Sequence, residues 1–328
     1  MPVVEIENLT KDFSIGFWKK RPLRALENLC LEVHRGEIFG FLGPNGAGKS
    51  TTIKILMNLL HPTSGTARIL GKPVNRVSMH QEIGYLPENP YFYDYLTPTE
   101  LLTYMGRLFG LLGSELSRKV EALLDDVGLA EARNLQLRKF SKGMVQRVGV
   151  AQALINDPEI VFLDEPMSGL DPLGRMEVRR IITSLKARGV TVFFSSHVLP
   201  DVEALCDRIA ILNKGKLQEA GALEDILKVR ITGYEIILSR VKQEIPDEIR
   251  RSCDEVRSME DRLHLRARDR AQMEALLEIA LRHKLELISV NPVRPSLEEH
   301  FQSVVAGGQQ GPAYTYAQKN ATDSTDYH

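Results

Sequence analysis

The segment Gly43-Pro44-Asn45-Gly46-Ala47-Gly48-Lys49-Ser50-Thr51 constrains this chain more than any other stretch. Its small residues let backbone N–H groups face a phosphate without side-chain obstruction. The apolar run Glu37 to Leu42 before it reads as a short strand, and the pattern after it predicts a helix from about Ser50 to Leu60. A helix start aimed at the same point adds a partial positive charge. Lys49 supplies a full charge for β- and γ-phosphates, and Ser50 a hydroxyl for Mg²⁺. A Gly-rich turn alone would say little. With a strand before and a helix after, it implies nucleoside-triphosphate binding on an α/β scaffold.

A second segment fits the first. Ile160-Val161-Phe162-Leu163-Asp164-Glu165 reads as a buried strand ending in two carboxylates. By itself such a pair is a solvated strand end. Downstream of a phosphate-binding loop, Asp164 is placed to enter a Mg²⁺ shell and Glu165, one residue on, to polarise an attacking water.

The remaining pattern sets the organisation. Met1 to Thr10 alternates as a strand, with Val4 and Ile6 against Glu5 and Glu7, and Val190 to Ser195 is a further buried strand. Thr97 to Asn156 shows no strand pattern; it reads as helical, broken at Gly110–Gly113, Gly128 and Lys139–Gly143. Residues 1–228 are therefore expected to form one α/β domain with a helical insertion at about 90–157. Beyond about Arg230 the pattern restarts. Tyr234 to Leu238, Arg262 to Ala267 and Leu285 to Val290 read as strands. A helix after Asp269 would bury Met273, Leu276, Leu277, Ala280 and Leu281 on one face. Ser296 with Glu299 makes a capping box opening a last helix. This predicts a small α+β domain at 229–305. Ala306 to His328, nearly free of aliphatic residues, is expected to be a disordered tail.

Composition narrows the function by exclusion. The chain has 42 basic and 43 acidic residues, and residues 230–305 are equally balanced, so nothing favours a nucleic-acid partner. Cys30, Cys206 and Cys253 are widely spaced, against a disulfide scaffold or zinc ribbon and in keeping with a reducing cytoplasm. No run approaches the roughly 18 uninterrupted apolar residues of a membrane span, and Met1 to Thr10 carries no charged-then-apolar leader. Work at a membrane would go through a partner.

Three more segments follow the first two in order. They are Phe140-Ser141-Lys142-Gly143-Met144 with Gln146-Arg147, then Ser168-Gly169-Leu170-Asp171 after Asp164-Glu165-Pro166, then His197 after Val192–Ser195. Over about residues 1 to 228 the sequence thereby resembles the nucleotide-binding subunits of ATP-binding-cassette transporters. The resemblance implies a RecA-like P-loop NTPase core with an N-terminal antiparallel β subdomain and the inserted α-helical subdomain. It implies a homodimer with ATP at the interface, held by Gly43 to Thr51 of one subunit and reached in trans by Ser141 and Gly143 of the other. Glu165 would be the base for ATP hydrolysis, His197 the γ-phosphate sensor and Ser168 to Asp171 the D-loop. Phe13 would stack on adenine, with Phe17 or Trp18 as alternatives. Mg²⁺ would be held by Ser50, Asp164 and Glu88, the last standing where the family usually has Gln after Tyr-Leu-Pro.

The signature also departs from the family, with Lys142 and Met144 in place of Gly and Gln. These features are similar to the bacterial exporter-like subfamily whose membrane-spanning permeases are of ABC-2 type. They imply a subunit peripheral on the cytoplasmic face of the cell membrane. Pro295 to Phe301 resembles the end of the accessory domain appended to such subunits. The alternative is a soluble ATPase of the same type acting on ribosome or nucleic acid, but that class usually carries two cassettes, a long coiled coil or basic extensions. A lone P-loop kinase or GTPase would need neither the Ser141–Gly143 segment nor the D-loop.

Overall fold

The computed structural model describes residues 2–15, 21–228, 233–239, 246–253, 255–259, 261–293 and 296–306. Phe17, Trp18, Pro295 and the expected tail beyond Ala306 lie outside the described residues. The chain divides into two compact units, Met1–Leu223 together with the chain from Val304, and Glu224–Ser303.

In the first unit, β1 (Pro2–Ile15) and β2 (Arg21–His34) form a long antiparallel hairpin. Register shifts along β1 let Val3 and Val4 both be buried, and then Leu9 and Thr10, so strict alternation holds only from Val4 to Glu7. β3 (Ile38–Leu42) leads through the Gly-rich turn into α1 (Lys49–Leu56). β4 (Ser64–Ile69) and β5 (Lys72–Pro73) return to the hairpin and complete a sheet ordered β2-β1-β4-β5.

α1 stops at Leu56, short of the Leu60 expected from the pattern. Asn58 takes a left-handed φ of 54°, which asparagine tolerates, and the N–H groups of Leu59 and Leu60 both turn back to Lys54 O.

β6 (Ile83–Leu86) is followed by the helical stretch α2 (Pro98–Leu108), α3 (Gly113–Asp126) and α4 (Lys142–Ala153). A Thr97–Glu100 capping box and Pro98 in the first turn open α2. Then come β7 (Ile160–Asp164), α5 (Pro172–Ala187), β8 (Thr191–Ser196), α6 (Leu199–Leu205), β9 (Arg208–Asn213), β10 (Lys216–Ala222) and α7 (Leu223–Lys228).

The central sheet is ordered β10-β9-β3-β8-β7-β6, parallel except for β10. Every residue of β3, β7 and β8 is buried, which explains their unbroken apolar runs. Phe193 of β8 packs on Phe39 and Phe41 of β3 at 5.6 and 5.3 Å, and on Phe162 of β7 at 5.4 Å. The same register sets Leu42 beside Ser196 and Asp164 beside Ser195 at the carboxyl ends of the strands. Open parallel sheets bind ligands at that edge.

The second unit contains β11 (Gly233–Ser239), α8 (Asp247–Ser252), β12 (Glu255–Met259), β13 (Arg262–Ala267), α9 (Arg270–Arg282) and β14 (Glu286–Val293). α10 (Leu297–Val305), opened by the Ser296–Glu299 box, follows. The antiparallel order β12-β13-β11-β14, with one helix after β11 and one after β13, is the ferredoxin-like βαββαβ arrangement. Its core joins Ile236, Leu238, Leu263 and Leu265 to Leu276, Ile279 and Ala280 of α9.

Leu281, expected on that face, is 75% exposed. At about 100° per residue it lies some 140° round the helix from Leu276, and Ile279 takes the buried place instead. α8 and β12 carry too little apolar periodicity to be read beforehand; β12 forms by pairing with β13. Among the described residues, no helix is long and apolar enough to cross a membrane.

Candidate active site

Gly48 caps α1 with φ 109°, a backbone region closed to ordinary side chains, and a Cβ there would strike Ala25 O at 2.7 Å. α1 thus starts without a side-chain cap, and such a helix start offers N–H groups to an anion. Asn45 and Gly46 at the tip of the loop are exposed, while Gly43, Ala47 and Lys49 are buried. The Lys49 ammonium donates to Gly43 O at 2.7 Å and lies 3.2 Å from Glu165 Oε1.

Asp164 ends β7 almost fully buried. Its Oδ1 accepts from Ser50 Oγ at 3.2 Å and from Ser195 Oγ at 2.6 Å. Tyr85, on the neighbouring strand β6, reports the charge: burial first and the Asp164 carboxylate second push its phenol up to about 12. A regular strand would point Asp164 and Glu165 to opposite faces. Glu165 instead takes a left-handed φ of 50°, a conformation costing on the order of 1–3 kcal/mol, and its carboxylate turns to Lys49 while Asp164 meets Ser50. Glu165 N donates to Ser195 Oγ at 2.9 Å, so the same hydroxyl braces both acidic residues.

His197 follows β8 and lies with Nδ1 2.8 Å from Glu165 Oε2. With Nδ1–H donated to the carboxylate, Nε2 is left to meet another group. Ser50, Lys49, Asp164, Glu165 and His197 therefore converge, two buried carboxylates against one ammonium. The excess negative charge and the hard oxygens of Ser50 and Asp164 suit a divalent cation bound with a phosphate.

The other expected residues, among those described, lend no side chain to this cluster. Ser141, exposed, caps α4 by accepting from Met144 N at 3.3 Å. Among the described residues no hydrogen bond or ion pair joins Ser141, Gly143 or Glu88 to the cluster; Glu88 is exposed in the loop after β6. Ser168 and Leu170 form short turns back to Glu165 O and Met167 O, and Asp171 caps α5 by accepting from Gly174 N at 3.1 Å. Phe13, partly buried on β1, has the Lys11 ammonium 5.2 Å from its ring centre. Ser195 belongs to none of the sequence motifs. Its signal was a pair of hydroxyls, Ser195-Ser196, closing an otherwise apolar strand just before His197.

A family model described as ABC transporter matches residues 26–168. The chain is 47% identical over 301 residues to an uncharacterized ABC transporter ATP-binding protein of Synechocystis sp., covering 91% of this chain and 83% of that protein. It is 34% identical over 292 residues to the bacitracin transport ATP-binding protein BcrA of Bacillus licheniformis, covering 88% and 94%. A solved ATP-binding cassette, described as dimeric and in a post-hydrolysis state bound to ADP and Pi, aligns with a TM-score of 0.61 at 26% identity, covering 67% of this chain and 98% of that one.

Proposed function

The chain belongs to the ATP-binding subunits of ABC transporters, and on that premise we propose that it hydrolyses ATP between two copies of itself to drive a separate permease. The observation that carries the reading is the convergence of Lys49, Ser50, Asp164, Glu165 and His197 at the carboxyl edge of the central sheet. Gly43 to Thr51 hold the triphosphate, Lys49 as a charge-assisted donor and the start of α1 through its N–H groups. Phe13 offers an aromatic face to adenine.

Glu165 takes the proton of the attacking water, and His197 holds its Oε2 and senses the γ-phosphate. Ser50 and Asp164 would hold Mg²⁺, with Glu88 joining from its loop; the ion, when bound, supplies neutralisation of phosphate charge.

Ser141 and Gly143 act in trans on the partner's γ-phosphate, beside Ser168 to Asp171. A related cassette being described as dimeric with ADP and Pi supports this arrangement. Loss of the γ-phosphate removes the cross-interface contacts and reopens the dimer. Residues 1–228 carry the ATPase and 229–305 serve as an accessory domain. The run of exposed Tyr91, Tyr93, Tyr95, Tyr104, Leu108 and Leu112 within residues 91–112, with Tyr93 and Tyr95 in ring contact, supports a protein partner. An ABC-2-type permease at the cytoplasmic face of the membrane fits the sequence pattern.

Complementation tests the reading. A Ser141→Arg chain keeps its phosphate loop, and a Lys49→Ala chain keeps its signature. Mixing them leaves one composite site intact, and ATPase activity should return in part. No recovery on mixing would remove the two-copy site.

A further inference from the structure

Lys142 stands where the family signature has Gly, and its side chain lies across the D-loop of its own chain. A methyl group added at Gly169 would collide with Lys142 Nζ, with Cε at 3.5 Å and Cδ at 3.8 Å. Gly169 has φ 68°, and its bare Cα leaves the room that the end of the exposed lysine side chain occupies, Nζ nearest and then Cε and Cδ. Beside it, a Cβ at Gly143 would meet Leu170 Cδ2 at 3.8 Å, and Leu170 is itself buried. The D-loop is itself turned by Ser168 N on Glu165 O at 3.1 Å and Leu170 N on Met167 O at 3.4 Å. Lys142 is also the first residue of α4, where the helix dipole disfavours a cation.

We propose that Lys142 is a positioning residue whose stem locks Ser168–Asp171 to the start of the signature helix. Ser141 and the D-loop then reach the partner's nucleotide as one body. The contact stands on the single chain; its consequence for catalysis rests on the two-copy site proposed above.

The test compares Lys142→Gly, which removes stem and charge, with Lys142→Met, which keeps the stem. In the full chain without nucleotide, hydrogen exchange at the Ser168 and Leu170 amides should quicken in K142G and return to wild-type rates in K142M. Val148 and Val150 within α4 serve as controls for the helix itself. With ATP, kcat of K142G should fall by about tenfold or more while KM holds, since misplacement by about 1 Å is enough for such a loss. K142M should restore most of it. Unchanged exchange in K142G overturns the proposal, as does unchanged kcat despite faster exchange. An equal kcat loss in K142M also overturns it, because the ammonium would then matter rather than the stem. Failure of the two-copy site would show separately, as no recovery on mixing Ser141→Arg with Lys49→Ala chains while the exchange result stands.

Discussion

Ser195 and Asp164 are register partners on adjacent parallel strands, and the Ser195 hydroxyl donates to Asp164 Oδ1 while accepting the N–H of Glu165. One side chain thus sets the direction of the buried carboxylate and the backbone of its neighbour. Ser195→Ala leaves both partners short of a hydrogen bond in a buried place. Unfolding free energy should fall by about 1–3 kcal/mol. ATPase activity at a temperature where the variant is still folded should fall as well. Urea unfolding and steady-state kinetics on one preparation check both; unaltered kinetics would leave Ser195 a packing residue only.

Lys49→Ala removes the ammonium that lies between Gly43 O and Glu165 Oε1. The β- and γ-phosphates lose a charge-assisted partner worth about 1.5–3 kcal/mol, or roughly 10- to 150-fold in affinity. Titration with a fluorescent ATP analogue measures it. Binding as tight as wild type would mean that the phosphates sit elsewhere.

Glu165→Gln keeps the shape of the side chain next to His197 but cannot take a proton from water. Turnover should slow by roughly 10²–10⁴-fold. Binding contacts through Gly43 to Thr51 and Ser141 persist, so the variant should accumulate as a dimer in Mg·ATP and not in ADP. Size-exclusion chromatography reads this directly, and wild-type turnover in the variant would take the base role from Glu165.

Tyr85 gives a pH signature. Its phenol is raised from 10.0 to about 12, so between those values the unfolded chain has released the proton that the folded chain still holds. The stability tied to this proton is complete below pH 10 and is lost as pH climbs through the folded value. Tyr85→Phe should flatten the alkaline fall in stability across that window, measured by urea unfolding on either side of it. An equal slope in both proteins would mean that the phenol is not shifted.

What was legible in the sequence was whatever is written in consecutive residues. The phosphate loop, the Asp164–Glu165 pair and the apolar strands show themselves because backbone chemistry and side-chain type coincide over a few positions. The α/β layout followed from alternating periodicities. Less legible were features set between strands. Ser195 braces Asp164 only because β8 lies beside β7, which strand order decides. Glu165's left-handed turn has no residue signature, since glutamate is an ordinary occupant of many conformations. Asn58 ended α1 early through a single backbone angle, and β12 exists through its pairing with β13 rather than through its own side chains.

The aromatic cluster beneath the site has a consequence for how defects would be diagnosed. Phe193 rests against Phe39, Phe41 and Phe162, and Phe162 and Phe193 lie two residues before Asp164 and Ser195 on their own strands. Sliding one strand by a single step would turn each of its side chains into the opposite layer and carry Asp164 past its serine. A survey of random substitutions would therefore score these phenylalanines as if they handled ATP, although their rings carry no polar atom to hold a phosphate or move a proton. The rings are the alignment gauge for the chemistry above them, so the tolerance of the active site is written in hydrocarbon.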